Sequence, residues 1–284
     1  MSSFIIKQSC SIGKVRRLQH IFSRDGKCLI VPIDDSLISG PKKGLSSLDS
    51  KIMQISAARP SAVLTYLGSA SLLRHSEVPL ILNLTASTVQ SNHTNKVLIS
   101  TVEQALTIDA DAVAVHMNFS SKYESDMLSN IVQVKEKCDR YGMPLMILAY
   151  PRSECGEGIN TIDQNYEALK VEAPAEYTEK VAHCVRIAFE LGADIIKTQY
   201  TGTTDTFKRV VQSAQGVPVV IAGGHELDDD LVLSMVEGAM SAGASGISIG
   251  RNIFDRRSSD KMIHAIGRIV FNSENAVSAM DELL

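Results

Sequence analysis

Short apolar runs punctuate the chain at residues 27–34 (KCLIVPID), 62–66 (AVLTY), 79–84 (PLILNL), 112–118 (AVAVHMN), 144–150 (PLMILAY), 194–198 (DIIKT), 217–222 (VPVVIA) and 246–250 (GISIG). Each is brief, rich in Val, Ile and Leu, and nearly continuous in apolar character. A parallel strand buried on both faces reads this way. The stretches between the runs carry helical periodicity instead. In residues 175–191, Tyr177, Val181, Val185, Ala188 and Phe189 recur at helical spacing, while Glu176, Glu179, Lys180 and Arg186 take other faces. Pro174 suits a helix start, and Gly192-Ala193 stops the helix before the next run. Ala242-Gly243-Ala244 repeats that stop before Gly246.

Eight strand–helix units in one uninterrupted series predict an α/β fold, a (β/α)8 TIM barrel. A doubly wound open sheet is the alternative, but no G-x-G-x-x-G follows the first run. Nothing resembling a linker divides the chain, so the expectation is a single domain over residues 1–284 with an N-terminal extension to about residue 25.

Composition narrows the function classes. The 28 Lys+Arg and 32 Asp+Glu give a net charge of −4, without a basic block that would suit nucleic acid or a membrane surface. The five cysteines (Cys10, Cys28, Cys138, Cys155, Cys184) are odd in number and show no C-x-x-C spacing, which reads as free thiols in a reducing cytoplasm and no zinc site. Phe4-Ile5-Ile6 is too short for a signal sequence, and no apolar run approaches the ~20 residues of a bilayer span. The expected location is the cytoplasm.

Barrels of this kind carry chemistry at the C-terminal ends of their strands. Lys197 closes the sixth run. Burial there would lower its pKa and free the amine to attack a carbonyl, although a lysine can also snorkel to solvent or pair with a carboxylate. Asp34 closes the first run, followed by Asp35 and Ser36. Its carboxylate suits a general base or a partner for a protonated imine, and equally an Asx-type turn. Too few further carboxylates converge there for a divalent metal. Tyr150 ends the fifth run before Pro151 and Arg152. The phenol could move a proton or merely pack its ring, and Arg152 could hold an anion by a forked contact. Gly223-Gly224 closes the seventh run and Gly250-Arg251 the eighth. Loops at those two strands commonly bind phosphate through backbone N–H groups, which glycine lets approach closely, and Arg251 adds charge.

The other polar residues read as structural or indeterminate. His116 could face the barrel interior, although a lone strand histidine is more often a satisfied core residue, and His225 with Glu226 suits a helix start. Asp228-Asp229-Asp230 suits the negative charge favoured in a helix's first turn. Residues 85–94 (TASTVQSNHT) form a polar loop at the catalytic end, a candidate lid over an acceptor.

The segments Pro32-Ile33-Asp34, Ala149-Tyr150-Pro151-Arg152, 193–202 (ADIIKTQYTG), 218–224 (PVVIAGG) and Gly250-Arg251-Asn252-Ile253-Phe254 occur in this order within residues 30–269. In them the chain resembles the class I aldolases of the archaeal fructose-bisphosphate aldolase type. Amino-dideoxy-heptulosonate synthases and autoinducer-processing thiolases are relatives of that group. The resemblance implies that Lys197 forms a Schiff base with a ketose-phosphate donor such as dihydroxyacetone phosphate. It implies that Tyr150 and Asp34 move protons, and that Gly223, Gly224, Gly250 and Arg251 seat the phosphate. No organic cofactor or metal is then required, and a ring-like homo-oligomer, up to a decamer, is implied. The family usually reads Asp-His-Gly after the first strand and Pro-Arg-Gly after the tyrosine. Here Asp34-Asp35-Ser36 and Pro151-Arg152-Ser153 stand instead. These changes fall where the acceptor would meet Asp35 and Arg152. The expectation is thus a specialised acceptor aldehyde such as an amino-acid semialdehyde. Fructose-1,6-bisphosphate cleavage, acyl transfer on a phosphorylated diketone, and a non-catalytic sugar-phosphate barrel are the alternatives.

Overall fold

The computed structural model describes residues 11–41, 43–88, 90–91, 93–152 and 169–284. All eight apolar runs become parallel strands: β1 (Cys28–Pro32), β2 (Ala62–Thr65), β3 (Leu80–Asn83), β4 (Ala112–Phe119), β5 (Leu145–Pro151), β6 (Ile195–Gln199), β7 (Val219–Ala222) and β8 (Gly246–Ser248). They pair in sequence order, and β8 returns to β1 through Cys28 opposite Gly246, closing the barrel.

Helices alternate with the strands: α1 (Ile12–Ile21), α2 (Leu48–Ala57), α3 (Val102–Thr107), α4 (Glu124–Tyr141), α5 (Pro174–Glu190), α6 (Thr204–Ser213), α7 (Asp229–Ser241) and α8 (Ser259–Asn272). Local chemistry sets their ends. Thr101 with Gln104 and Thr203 with Thr206 form capping boxes at the starts of α3 and α6. Gly142, left-handed at φ 63°, stops α4 and donates its N–H to Cys138 O. The helix expected over 175–191 is α5, and Asp229 and Asp230 occupy the first turn of α7 as expected. His225 and Glu226 do not start that helix. Asp228 is still extended, at φ −64° and ψ 155°, and the chain turns helical only at Asp229.

Two apolar layers result from the period-two alternation of strand side chains. One lies between strands and helices and holds Ile147, Ala149 and Ile196. The other fills the barrel bore with Ile30, Leu64, Ile81, Met146, Leu148, Ile195 and Val220. At its lower end Leu18, Ile21 and Phe22 seal it, so the segment before β1 contains the floor of the barrel. Lys14 of α1 is anchored there, 2.8 Å from both Asp139 at the end of α4 and Asp194 before β6. No helix among the described residues is long and apolar enough to cross a membrane.

Candidate active site

Parity along β6 decides where its lysine goes. Ile195 points into the bore and Ile196 toward the helices, so Lys197 points inward, one layer above Ile195. Its register partners are Leu148 on β5 and Val220 on β7, both part of the apolar plug. Tyr150 stands two residues above Leu148 on the same face of β5. Above the plug opens a cavity of about 230 Å3. Every residue singled out from the sequence lines it: Lys197, Tyr150, Asp34, Asp35, Arg152, Gly223, Gly224, Gly250 and Arg251.

Lys197 is only 7% exposed. Burial lowers its pKa to about 8, with the positive charges of Arg152 and Arg251 acting the same way and Asp34 opposing. A sizeable share of the amine is therefore neutral near physiological pH. Asp34 accepts a hydrogen bond from Asn83 Nδ2 at 2.7 Å. Burial raises its pKa while Lys197 and Asn83 hold it down. Burial also raises the Tyr150 phenol, which stays protonated and available as a donor. The Arg152 guanidinium stacks 4.6 Å from the Tyr150 ring centre.

The glycine wall is held by one side chain. Asn252, fully buried, donates to Gly223 O at 3.0 Å and His225 O at 2.8 Å and accepts from Leu227 N at 2.8 Å. This clasp keeps residues 223–227 out of a helix and leaves His225 on the cavity wall. A Cβ on Gly223 would lie 2.7 Å from Ile249 Cγ2, and Gly224 has φ +67°. Both positions thus require glycine for reasons of space or conformation.

A family model described as "DeoC/LacD family aldolase" matches residues 28–256. The chain belongs to that family. It is 35% identical over 94% of its length to 2-amino-3,7-dideoxy-D-threo-hept-6-ulosonate synthase of Halobacterium salinarum, covering 95% of that protein. It is 33% identical to 2-amino-4,5-dihydroxy-6-oxo-7-(phosphonooxy)heptanoate synthase of Streptomyces griseus, with 90% of each chain covered. Among solved structures, an archaeal fructose 1,6-bisphosphate aldolase superposes with a TM-score of 0.78 at 31% identity, covering 91% of this chain and 99% of the other. A second, studied as a Schiff-base-forming fructose-1,6-bisphosphate aldolase, gives 0.78 at 30%, covering 91% of this chain and 100% of that one. The chain is a class I aldolase, as the resemblance implied.

The aldolase brings to the cavity Thr85 and His93, which fall in the polar stretch 85–94 expected at the catalytic end, and three residues the sequence did not single out: Lys96 from the same excursion between β3 and β4, and Asn83 and Gln199 from strand ends. His116 takes the barrel-interior reading: it lines the cavity, packs its ring 5.0 Å from that of Tyr150, and sets Nε2 3.0 Å from Asn118 Oδ1. Parity along β4 is the reason, since His116 shares the inward face with Ala112 and Ala114. Lys96 carried no such signal, because its segment has no period.

Proposed function

We propose that this aldolase forms a carbon–carbon bond between a dihydroxyacetone-phosphate-type donor and an amino-acid semialdehyde. The observation that carries the reading is Lys197, an amine of lowered pKa set on an apolar plug beside Asp34 and the glycine wall. The donor phosphate seats on Gly223-Gly224 and Gly250-Arg251. Lys197 Nζ attacks the donor ketone, and the resulting carbinolamine loses water as Tyr150 protonates the departing hydroxyl. The protonated imine, faced by Asp34, then draws off the electron pair when a proton leaves the neighbouring carbon. The enamine so formed adds to the acceptor aldehyde, whose oxygen takes a proton. Water finally releases the product from Lys197.

The acceptor follows from the names of the two synthases. In an amino-dihydroxy-oxo-heptanoate carrying its ketone at carbon 6, an aldol bond joins carbons 4 and 5. Undoing it leaves a three-carbon ketone and 2-amino-4-oxobutanoate. Asp35 and Ser36, which replace the usual His-Gly, favour this acceptor over the one used in fructose bisphosphate chemistry. The same reading places the enzyme in the cytoplasm as a homo-oligomer, to be checked by light scattering.

Borohydride reduction in the presence of dihydroxyacetone phosphate, followed by intact mass and peptide mapping, tests the chemistry. One adduct on Lys197 is expected. Absence of any adduct, under conditions where the phosphate ligand binds, would overturn the Schiff-base reading.

A further inference from the structure

Lys96 is a second buried amine in the same cavity, and the aldol steps above leave it without a task. It is 2% exposed, yet it lines the cavity. Its Nζ lies 2.6 Å from Ser87 Oγ and 3.3 Å from His93 Nδ1, both neutral groups. Among the described residues no carboxylate lies within ion-pair distance of it. A long cation buried without a carboxylate is unusual, because desolvation is costly unless an opposite charge offsets it.

His93 sharpens the point. Its Nε2 lies 3.3 Å from Arg152 Nη1, and burial with the neighbouring cations pushes its pKa down to about 2, so the imidazole is neutral. A neutral imidazole accepts at one nitrogen and donates at the other. It therefore cannot accept from both Arg152 and a charged Lys96. Ser87 Oγ accepts from Lys96, and an anion placed on Lys96 would supply a further acceptor there.

Topology agrees. Among the described residues, Lys96, Arg152, Lys197 and Arg251 line the cavity together with Asp34 and Asp35. In the closed strand order, β3 stands opposite β7 and β4 opposite β8. The excursion carrying Lys96 joins β3 to β4, so it faces the glycine wall across the mouth. A donor anchored by its phosphate at β7–β8 and bonded to Lys197 leaves the Lys96 side for whatever its enamine attacks.

We propose that Lys96 is the specificity residue for the acceptor, with its ammonium, steadied by Ser87, receiving the acceptor's anionic end. That anion is a carboxylate in an amino-acid semialdehyde or a phosphate in a triose phosphate. The inference rests on the Schiff-base reading of Lys197. Binding of the anion also favours protonation of Lys96, whose pKa burial and Arg152 hold down at about 7.

The test compares wild type, Lys96→Met and Lys96→Arg with dihydroxyacetone phosphate as donor and three acceptors: 2-amino-4-oxobutanoate, glyceraldehyde 3-phosphate and neutral glyceraldehyde. Lys96→Met should lower kcat/KM for the natural anionic acceptor about a hundredfold, mostly through KM, as expected for loss of a desolvated charge pair. Neutral glyceraldehyde should change less than about threefold on the same argument, and Lys96→Arg should recover part of the loss. Whichever anionic acceptor suffers the larger loss identifies the source of the anion. An equal fall with all three acceptors, no fall at all, or a borohydride adduct on Lys96 would overturn the assignment. If wild type gives no adduct on Lys197, the Schiff-base reading fails and this inference with it. An adduct on Lys197 without acceptor discrimination at Lys96 sinks this inference alone.

Discussion

Replacing Asn252 with alanine should damage both the fold and the donor site, and the structure gives the size. Three hydrogen bonds vanish, two to carbonyl oxygens of residues 223 and 225 and one from the N–H of Leu227. At about 0.5–1.5 kcal/mol each they amount to roughly 1.5–4.5 kcal/mol, and burial of the Gly223 carbonyl favours the middle or upper part of that range. His225 is exposed, so water can replace part of the loss there. A cost of about 3 kcal/mol is the working value. With a urea slope near 3 kcal/mol/M the unfolding midpoint should fall by about 1 M at unchanged slope. The freed loop should raise KM for dihydroxyacetone phosphate about tenfold, the equivalent of ~1.4 kcal/mol of lost loop order. Asn252→Asp sharpens the result, because it keeps the acceptor for Leu227 but turns a carboxylate toward two carbonyls and the phosphate seat. It should lose at least as much donor affinity as the alanine variant. A midpoint shift below about 0.2 M, with donor KM unchanged, would refute the idea that this side chain holds the phosphate wall.

Three further outcomes follow from the same geometry. Tyr150→Phe should lower kcat by about a hundredfold or more, the usual weight of a positioned proton donor, with little change in donor binding; lost phosphate affinity at unchanged turnover would remove the tyrosine from proton transfer. Because the folded pKa of Lys197 is lowered to about 8, Lys197 is protonated below that value, and the rate of adduct formation should rise about tenfold per pH unit up to pH 8 and then level. A rate flat between pH 6 and pH 8 would contradict the lowered pKa. Lys14→Met should cost about 3–5 kcal/mol, since it strands the largely buried Asp194, and thermal unfolding would read it. Burial lowers the Lys14 pKa, but Asp194 and Asp139 outweigh it and leave the pKa raised above 10.5, so that stabilisation is fully present below pH 10.5 and fades as pH climbs through the raised value. A variant equally destabilised at alkaline and neutral pH would argue against the ion pair as the cause.

The sequence by itself determined the barrel and half of its site. Strands buried on both faces leave continuous apolar runs, so all eight were visible, and a polar residue at the C-terminal end of such a run has nowhere to go but the mouth. Lys197, Tyr150 and Asp34 were legible for that reason, and the glycines at 223, 224 and 250 because they sit in register at the last two strands. Of the opposite wall the sequence showed only a polar stretch, 85–94, at the catalytic end. Which of its residues reach the cavity, and that Lys96 just beyond it does so, the tertiary structure decided, because the excursion has no period and only closure of the barrel carries it across the mouth from β7 and β8. The same holds for residues 225–227, whose sequence suits a helix start until Asn252, distant in the chain, takes their backbone groups. Local pattern reports what each segment buries, whereas contacts between segments far apart in sequence arise only when the whole sheet closes.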